Sequence, residues 1–116
     1  MALIPLALSV VLVAVMIVVV TRMAAEGRLV RNGSAGIRTR HTQASDAAWV
    51  AGHAAALPAV RRAVPLAVVT LVLMGAAYAT LGEGWGIGTG LLGLAAQTAV
   101  LLQGAAVANR AARSVA

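Results

Sequence analysis

Between residues 36 and 53 the sequence reads GIRTRHTQASDAAWVAGH, placing two arginines, two histidines, a carboxylate and a tryptophan together in a chain that is 61% hydrophobic. His41, Asp46 and His53 are residue types that ligate metals. Their spacing matches no recognised ligand set, because His53 lies seven residues beyond Asp46 and His41 precedes both. Asp46 and His53 could also move a proton, but no nucleophile motif, phosphate-cradling glycine loop or paired carboxylate accompanies them. Neither catalysis nor a cofactor is expected. Arg38 and Arg40 suit phosphate or carboxylate groups, which a guanidinium fork binds at two points. Cysteine is absent, which excludes disulfides and thiolate chemistry.

The elements that must carry this stretch are apolar helices. Leu3 to Val20 is almost unbroken aliphatic sequence, long enough at about 1.5 Å per residue to cross a hydrocarbon core of roughly 30 Å. Its thirteen Leu, Ile and Val residues supply roughly −4 to −8 kcal/mol of insertion free energy. No basic stretch precedes it, so it reads as a retained span rather than a cleaved signal. The fold class expected is an all-α membrane protein: one membrane domain over 1–116, with spans at about 3–22, 63–81 and 87–108. A loop over about 23–62 holds the motif.

Within that loop, Asn32 and Gly33 favour a turn and a helix stop. Ser45 is placed to cap a short helix from about Asp46 to Leu57, with Asp46 offsetting its positive end. That helix is too short to span and too apolar for water, so it is expected at the membrane interface or packed under the bundle. Trp49, His53 and Leu57 share one of its faces. Pro58 should break or kink it. Thr70, Met74 and Tyr78 form a stripe on the second span. On the third, Gly86, Gly90, Gly93, Gln97, Gly104 and Ala108 form a seam of small residues with one amide, suited to close packing within the chain or between two copies.

Arginines fix the expected topology. Seven of the nine lie at or between the ends of the first two spans, two follow the third, and the turn near residue 83 carries only Glu83. By the positive-inside rule the motif loop and C-terminus face the cytoplasm and the N-terminus faces out. The net charge of +6 thus reads as topology plus attraction to anionic membrane lipids, not nucleic-acid binding. Lysine and phenylalanine are missing while Ala, Val and Arg abound, as in GC-rich coding, which points to a bacterial inner membrane.

The segment NGSAGIRTRHTQASDAAWVAGH resembles the signature of the SdpI-type immunity protein family of small bacterial membrane proteins. Gly36, Arg38, Thr39, Ser45, Trp49 and His53 occupy the signature positions. The chain is shorter than the founding type, and HAAALP follows the histidine where a basic residue is common. The resemblance implies protection against a membrane-active peptide toxin, with signalling through a repressor held at the membrane. On this reading Arg38 and Arg40 engage the ligand, Thr39 and Ser45 fix the loop, and Trp49 with His53 form a docking face. Two alternatives stay open. One is an accessory subunit of a larger membrane complex that uses the glycine seam as its contact. The other is a lipid-handling membrane enzyme or transporter, against which stands the lack of ionisable residues inside the spans.

Overall fold

The structure, a computed structural model, describes residues 2–115, and among these every regular element is an α-helix. Helix α1 is Leu3–Ala25, α2 Asp46–Val60, α3 Ala63–Leu81 and α4 Glu83–Arg113. They form a narrow bundle of 51 × 20 × 18 Å. Three helical stretches are long and apolar enough to cross a membrane: α1, α2 with α3 as one 36-residue run, and α4. Their outer surfaces bear bare hydrocarbon, with Leu12 60%, Val72 65% and Leu92 73% exposed. So much contiguous apolar surface suits lipid and not water. The chain is a multi-pass membrane protein.

Helix α4 is the mast against which the others align. Leu3, Leu6 and Val10 of α1 meet Gly86, Gly90 and Gln97 in turn, so α1 and α4 run parallel. Tyr78, Met74 and Thr70 meet Gly86, Gly90 and Gly93 in the opposite order, and Val60 of α2 meets Gly104. Gly82 alone joins α3 to α4, and its φ of 104° lies where an L side chain is strained. The buried glycines on α4 let backbones approach closely where lipid gives little drive for helix association. A Cβ at Gly90 would sit 2.6 Å from Leu6 and 2.9 Å from Met74, and one at Gly93 would overlap the whole Thr70 side chain. The seam is consumed inside the chain. Tyr78 ends the expected α3 stripe half-exposed, while Thr70 and Met74 are buried.

Helix boundaries differ from the sequence expectation. Helix α1 ends at Ala25, and its stop is Gly27 rather than Asn32–Gly33. Gly27 has φ 78° and donates to Ala24, while Arg28 donates to Met23 at 2.8 Å, the paired bonds of a Schellman end. Pro58 lies inside α2 and does not end it. The carbonyl its ring leaves without a donor is that of Ala54, on an exposed face, while Ala56, Ala59 and Val60 on the opposite face are buried. Helix α2, expected at the membrane interface or packed under the bundle, packs against α1 and α4. Arg61 and Arg62 keep helical backbone angles (φ −60° at each), so α2 runs on toward α3 and packs lengthwise against α4.

This alignment sets the depth of the motif. Helix α3 is 19 residues, about 28 Å, which matches one hydrocarbon core. Arg62 donates to Gln103 Oε1 at 3.0 Å, so Arg61, Arg62 and Gln103 stand at one level, the boundary of the spanning segment. Beyond it project α2, the last ten residues of α4 and the loop over 26–45. All nine arginines sit at or beyond that level, and Glu83 sits at the opposite end.

Candidate functional site

The loop over 26–45 is folded onto α2 by the same residues that suggested chemistry. Ser45 is extended (φ −161°, ψ 166°), and its hydroxyl accepts the Ala48 N–H at 3.0 Å, capping α2. One turn on, Trp49 is 1% exposed and donates its indole N–H to the Leu29 carbonyl at 2.8 Å. A further turn on, His53 is fully buried between two backbone groups. Its Nε2 accepts the Ile37 N–H at 2.8 Å, and its Nδ1 lies 2.7 Å from the Trp49 carbonyl. Since Nε2 must accept, Nδ1 carries the proton and donates, so the ring is neutral. Burial holds its pKa below the ordinary histidine value, the Trp49 bond opposing in part.

Gly36 completes this clasp. It has φ 101°, and a Cβ there would lie 2.7 Å from Trp49 Cη2 and 3.0 Å from His53 Nε2. Only a bare backbone can lie on the indole and still present Ile37 to the imidazole. Ile37, 5% exposed, then packs with Ala56 and Ala108. Thr42, fully buried, closes the next turn: its hydroxyl donates to the Ile37 carbonyl and accepts the Thr39 N–H, both at 2.8 Å. Gly52 makes room for the Thr42 methyl and the Ala108 carbonyl, while Asn109 of α4 accepts the His41 N–H at 3.2 Å.

Leu29, Thr42, Gln43 and Asn109 contribute without any signal in the motif, whereas Asn32 makes the turn its residue type indicates. Asn32 Oδ1 accepts from Ser34 and Ala35, an Asx turn in which Gly33 needs no positive φ. Gln43 donates to the Asn32 carbonyl at 2.8 Å.

The expected site residues therefore divide. Trp49 and His53, read from sequence as a docking face, are buried and spend their polar atoms on the loop backbone. Thr39 and Ser45 serve turn and cap. His41, Asp46 and His53 do not gather: both ring nitrogens of His53 are engaged, and the Asp46 side chain is 88% exposed beside Arg31 at 3.4 Å. Among the described residues no three candidate ligands come together for a metal.

Arg38 and Arg40 remain at the surface. Arg38 spends one N–H on the Gly33 carbonyl at 2.7 Å, and Arg40 makes no hydrogen bond or ion pair among the described residues. Among the described residues no carboxylate neutralises them. The chain has three, of which Glu26 lies between Arg22 and Arg28, Asp46 faces Arg31, and Glu83 is at the far end of the bundle. The Arg22 and Arg28 hydrogen bonds keep the Glu26 carboxyl below its ordinary value.

An apolar groove of about 210 Å³ opens between α1, the loop and α4. Ile17, Val20 and Thr21 line it from α1, Ala35 to Ile37 from the loop, and Leu101 from α4. The turn that the Arg38 side chain closes onto Gly33 is thus the turn that contributes Ala35 to Ile37 to the groove. Hydrocarbon binding on one side of that turn and anion binding on the other is what the arrangement can do. No protein-family model matches the chain, and comparison with curated proteins and with solved structures gives no match either.

Proposed function

We propose that this is a bacterial inner-membrane protein of immunity type, similar to the SdpI family, which protects the cell by binding a membrane-active peptide or lipid-like amphiphile. Its arginine-bearing end faces the cytoplasm. The observation that carries the reading is the pairing of two unneutralised arginines with an apolar groove, on a loop whose other motif residues are spent on holding it rigid. Amphiphiles need both halves of such a site. The loop is clamped to α2 and α4 at separate points, so the site is preformed and little ordering entropy opposes binding. Arg38 and Arg40 engage the ligand, and Gly36, Thr39, Ser45, Trp49 and His53 hold them in place.

The accessory-subunit reading loses its expected contact, because Gly86, Gly90, Gly93 and Gln97 are buried against α1 and α3. The proton-moving pair considered from sequence, Asp46 with His53, does not form, since His53 is locked by two backbone bonds and the Asp46 side chain is exposed beside Arg31.

The test is protection. Cells expressing the chain should survive challenge with membrane-active peptides that kill cells lacking it, and Arg38→Ala should abolish survival at unchanged protein level. Survival equal with and without the chain across such peptides refutes the function. Orientation is tested separately with Ser34→Cys, the sole thiol in a cysteine-free chain, which should resist impermeant reagents in intact cells. Labelling from outside would invert the topology.

A further inference from the structure

We infer that the groove between α1 and the loop over 35–37 holds one acyl chain of an anionic phospholipid, drawn from the leaflet on the arginine-bearing side, with its phosphate at Arg38. The inference deepens the proposed function and rests on its reading of this face as a ligand site. Three observations select the occupant.

The first is size. Two turns of α-helix, a cylinder about 10 Å wide and about 11 Å long, occupy roughly 850 Å³. The groove offers about 210 Å³, room for a slender chain rather than for a whole helix seated inside it. Its volume exceeds the roughly 150 Å³ of an apolar cavity that accepts benzene, which suits a single hydrocarbon chain.

The second is depth. Leu101 lies two residues from Gln103, whose bond to Arg62 marks the end of the spanning segment. The groove therefore opens where acyl chains meet headgroups. The aliphatic residues Ile17 and Val20 of α1 line the groove together with Leu101, close to that level.

The third is charge. Arg38, next in sequence to the groove residue Ile37, donates one N–H to Gly33, leaving most of its five donors unused, and among the described residues no carboxylate pairs with it. A phosphate diester matches that fork, and a bilayer supplies it already joined to the chain the groove accepts.

The experiment places the full chain in phosphatidylcholine nanodiscs containing trace phosphatidylglycerol or phosphatidylcholine with a photoreactive diazirine in one acyl chain. Cross-links are mapped by mass spectrometry. Labelling of residues 16–21 and 35–37 should favour phosphatidylglycerol about fivefold, the ratio equivalent to one surface arginine acting on an anionic lipid. Leu91 and Leu92, on the lipid-facing side of α4, should show a ratio near one. Arg38→Gln, which keeps a donor for Gly33, should bring the groove ratio to one and leave Leu91 and Leu92 unchanged. Ala35→Phe should reduce groove labelling by both lipids, with Trp49 emission reporting that the fold persists.

Equal labelling of the groove by the two lipids, or a ratio unmoved by Arg38→Gln, overturns the inference. If Arg38→Ala still abolishes protection while the lipids label equally, the lipid assignment falls and the ligand site stands. If the groove prefers phosphatidylglycerol while Arg38→Ala cells survive challenge, the lipid assignment stands and the immunity reading falls.

Discussion

Gly36 offers a direct measurement of how much of the motif is architecture. Three loop glycines form a natural series. Gly33 has no positive φ and open space around it, Gly27 has φ 78° with open space, and Gly36 has φ 101° with the indole and imidazole against it. Gly33→Ala changes neither term and should fall within about 0.5 kcal/mol of the parent, with a small gain possible from reduced unfolded-chain entropy. Gly27→Ala adds the left-handed backbone penalty of about 1–2 kcal/mol. Gly36→Ala adds that penalty and overpacking of about 1–3 kcal/mol, because the nearest atoms are the 2.7 Å Cη2 and 2.9 Å Cζ2 of a ring held by its own hydrogen bond. Its total of about 2–5 kcal/mol is a large part of the roughly 5–15 kcal/mol of a typical domain.

The assay is equilibrium unfolding in mixed micelles followed by Trp49 emission, in a Trp85→Phe background that removes the exposed indole at the other end. The expected order is Gly33→Ala, Gly27→Ala, Gly36→Ala, from least to most destabilised. Phenylalanine lacks both clashing atoms, so the Gly36→Ala penalty, followed by far-ultraviolet circular dichroism because no tryptophan is left, should shrink toward that of Gly27→Ala when Trp49→Phe is combined with it. Equal destabilisation at 27 and 36 would refute the account of the motif glycine as a packing requirement.

Three further outcomes follow from the same geometry. Because the buried imidazole holds its pKa below the ordinary value of about 6.5, the unfolded chain takes up a proton that the folded chain refuses as pH falls. Stability in pH-stepped unfolding should be level above about pH 7 and decline from about pH 6.5 downward, with a smaller decline in His53→Gln. Gly93→Ala should destabilise by about 1–3 kcal/mol through its overlap with Thr70, and Thr70→Ala should restore most of that loss in the double variant. Gln97 donates to the Val10 carbonyl at 3.0 Å but leaves its Oε1 buried without a partner, so Gln97→Leu should shift unfolding by less than about 1 kcal/mol in either direction.

The three spans were legible because insertion depends on summed hydropathy, which composition carries without reference to partners. The α4 seam was legible for a related reason: close helix contact in lipid needs small side chains at helical spacing, a pattern visible in one strand of sequence. Ser45 was readable as a cap because a cap bonds within four residues. What the sequence hid were bonds to distant backbone. Trp49 reaches Leu29, His53 reaches Ile37, and Asn109 reaches His41, across 20, 16 and 68 positions. A carbonyl or N–H has no identity in the sequence, so two side chains aimed at backbone look free there and read as a binding face. Pro58 misled for the converse reason: its local rule holds, yet packing of the opposite face of α2 outweighs one missing bond on the exposed side.

That division bears on how the loop can function at all. A group already hydrogen-bonded in a buried site gains nothing from a ligand unless the ligand replaces the bond it breaks, and breaking one there leaves an unpaired backbone group at about 1–3 kcal/mol. Trp49, His53, Thr42 and Ser45 are in that position. Arg40, and most of Arg38, are in the opposite one: charged, exposed and without a carboxylate partner. On the proposed function, ligand binding draws on the arginines and the groove, while the clasp supplies their rigidity. Substitutions in the clasp should act on function only in proportion to lost stability, and substitutions of the arginines should act without it.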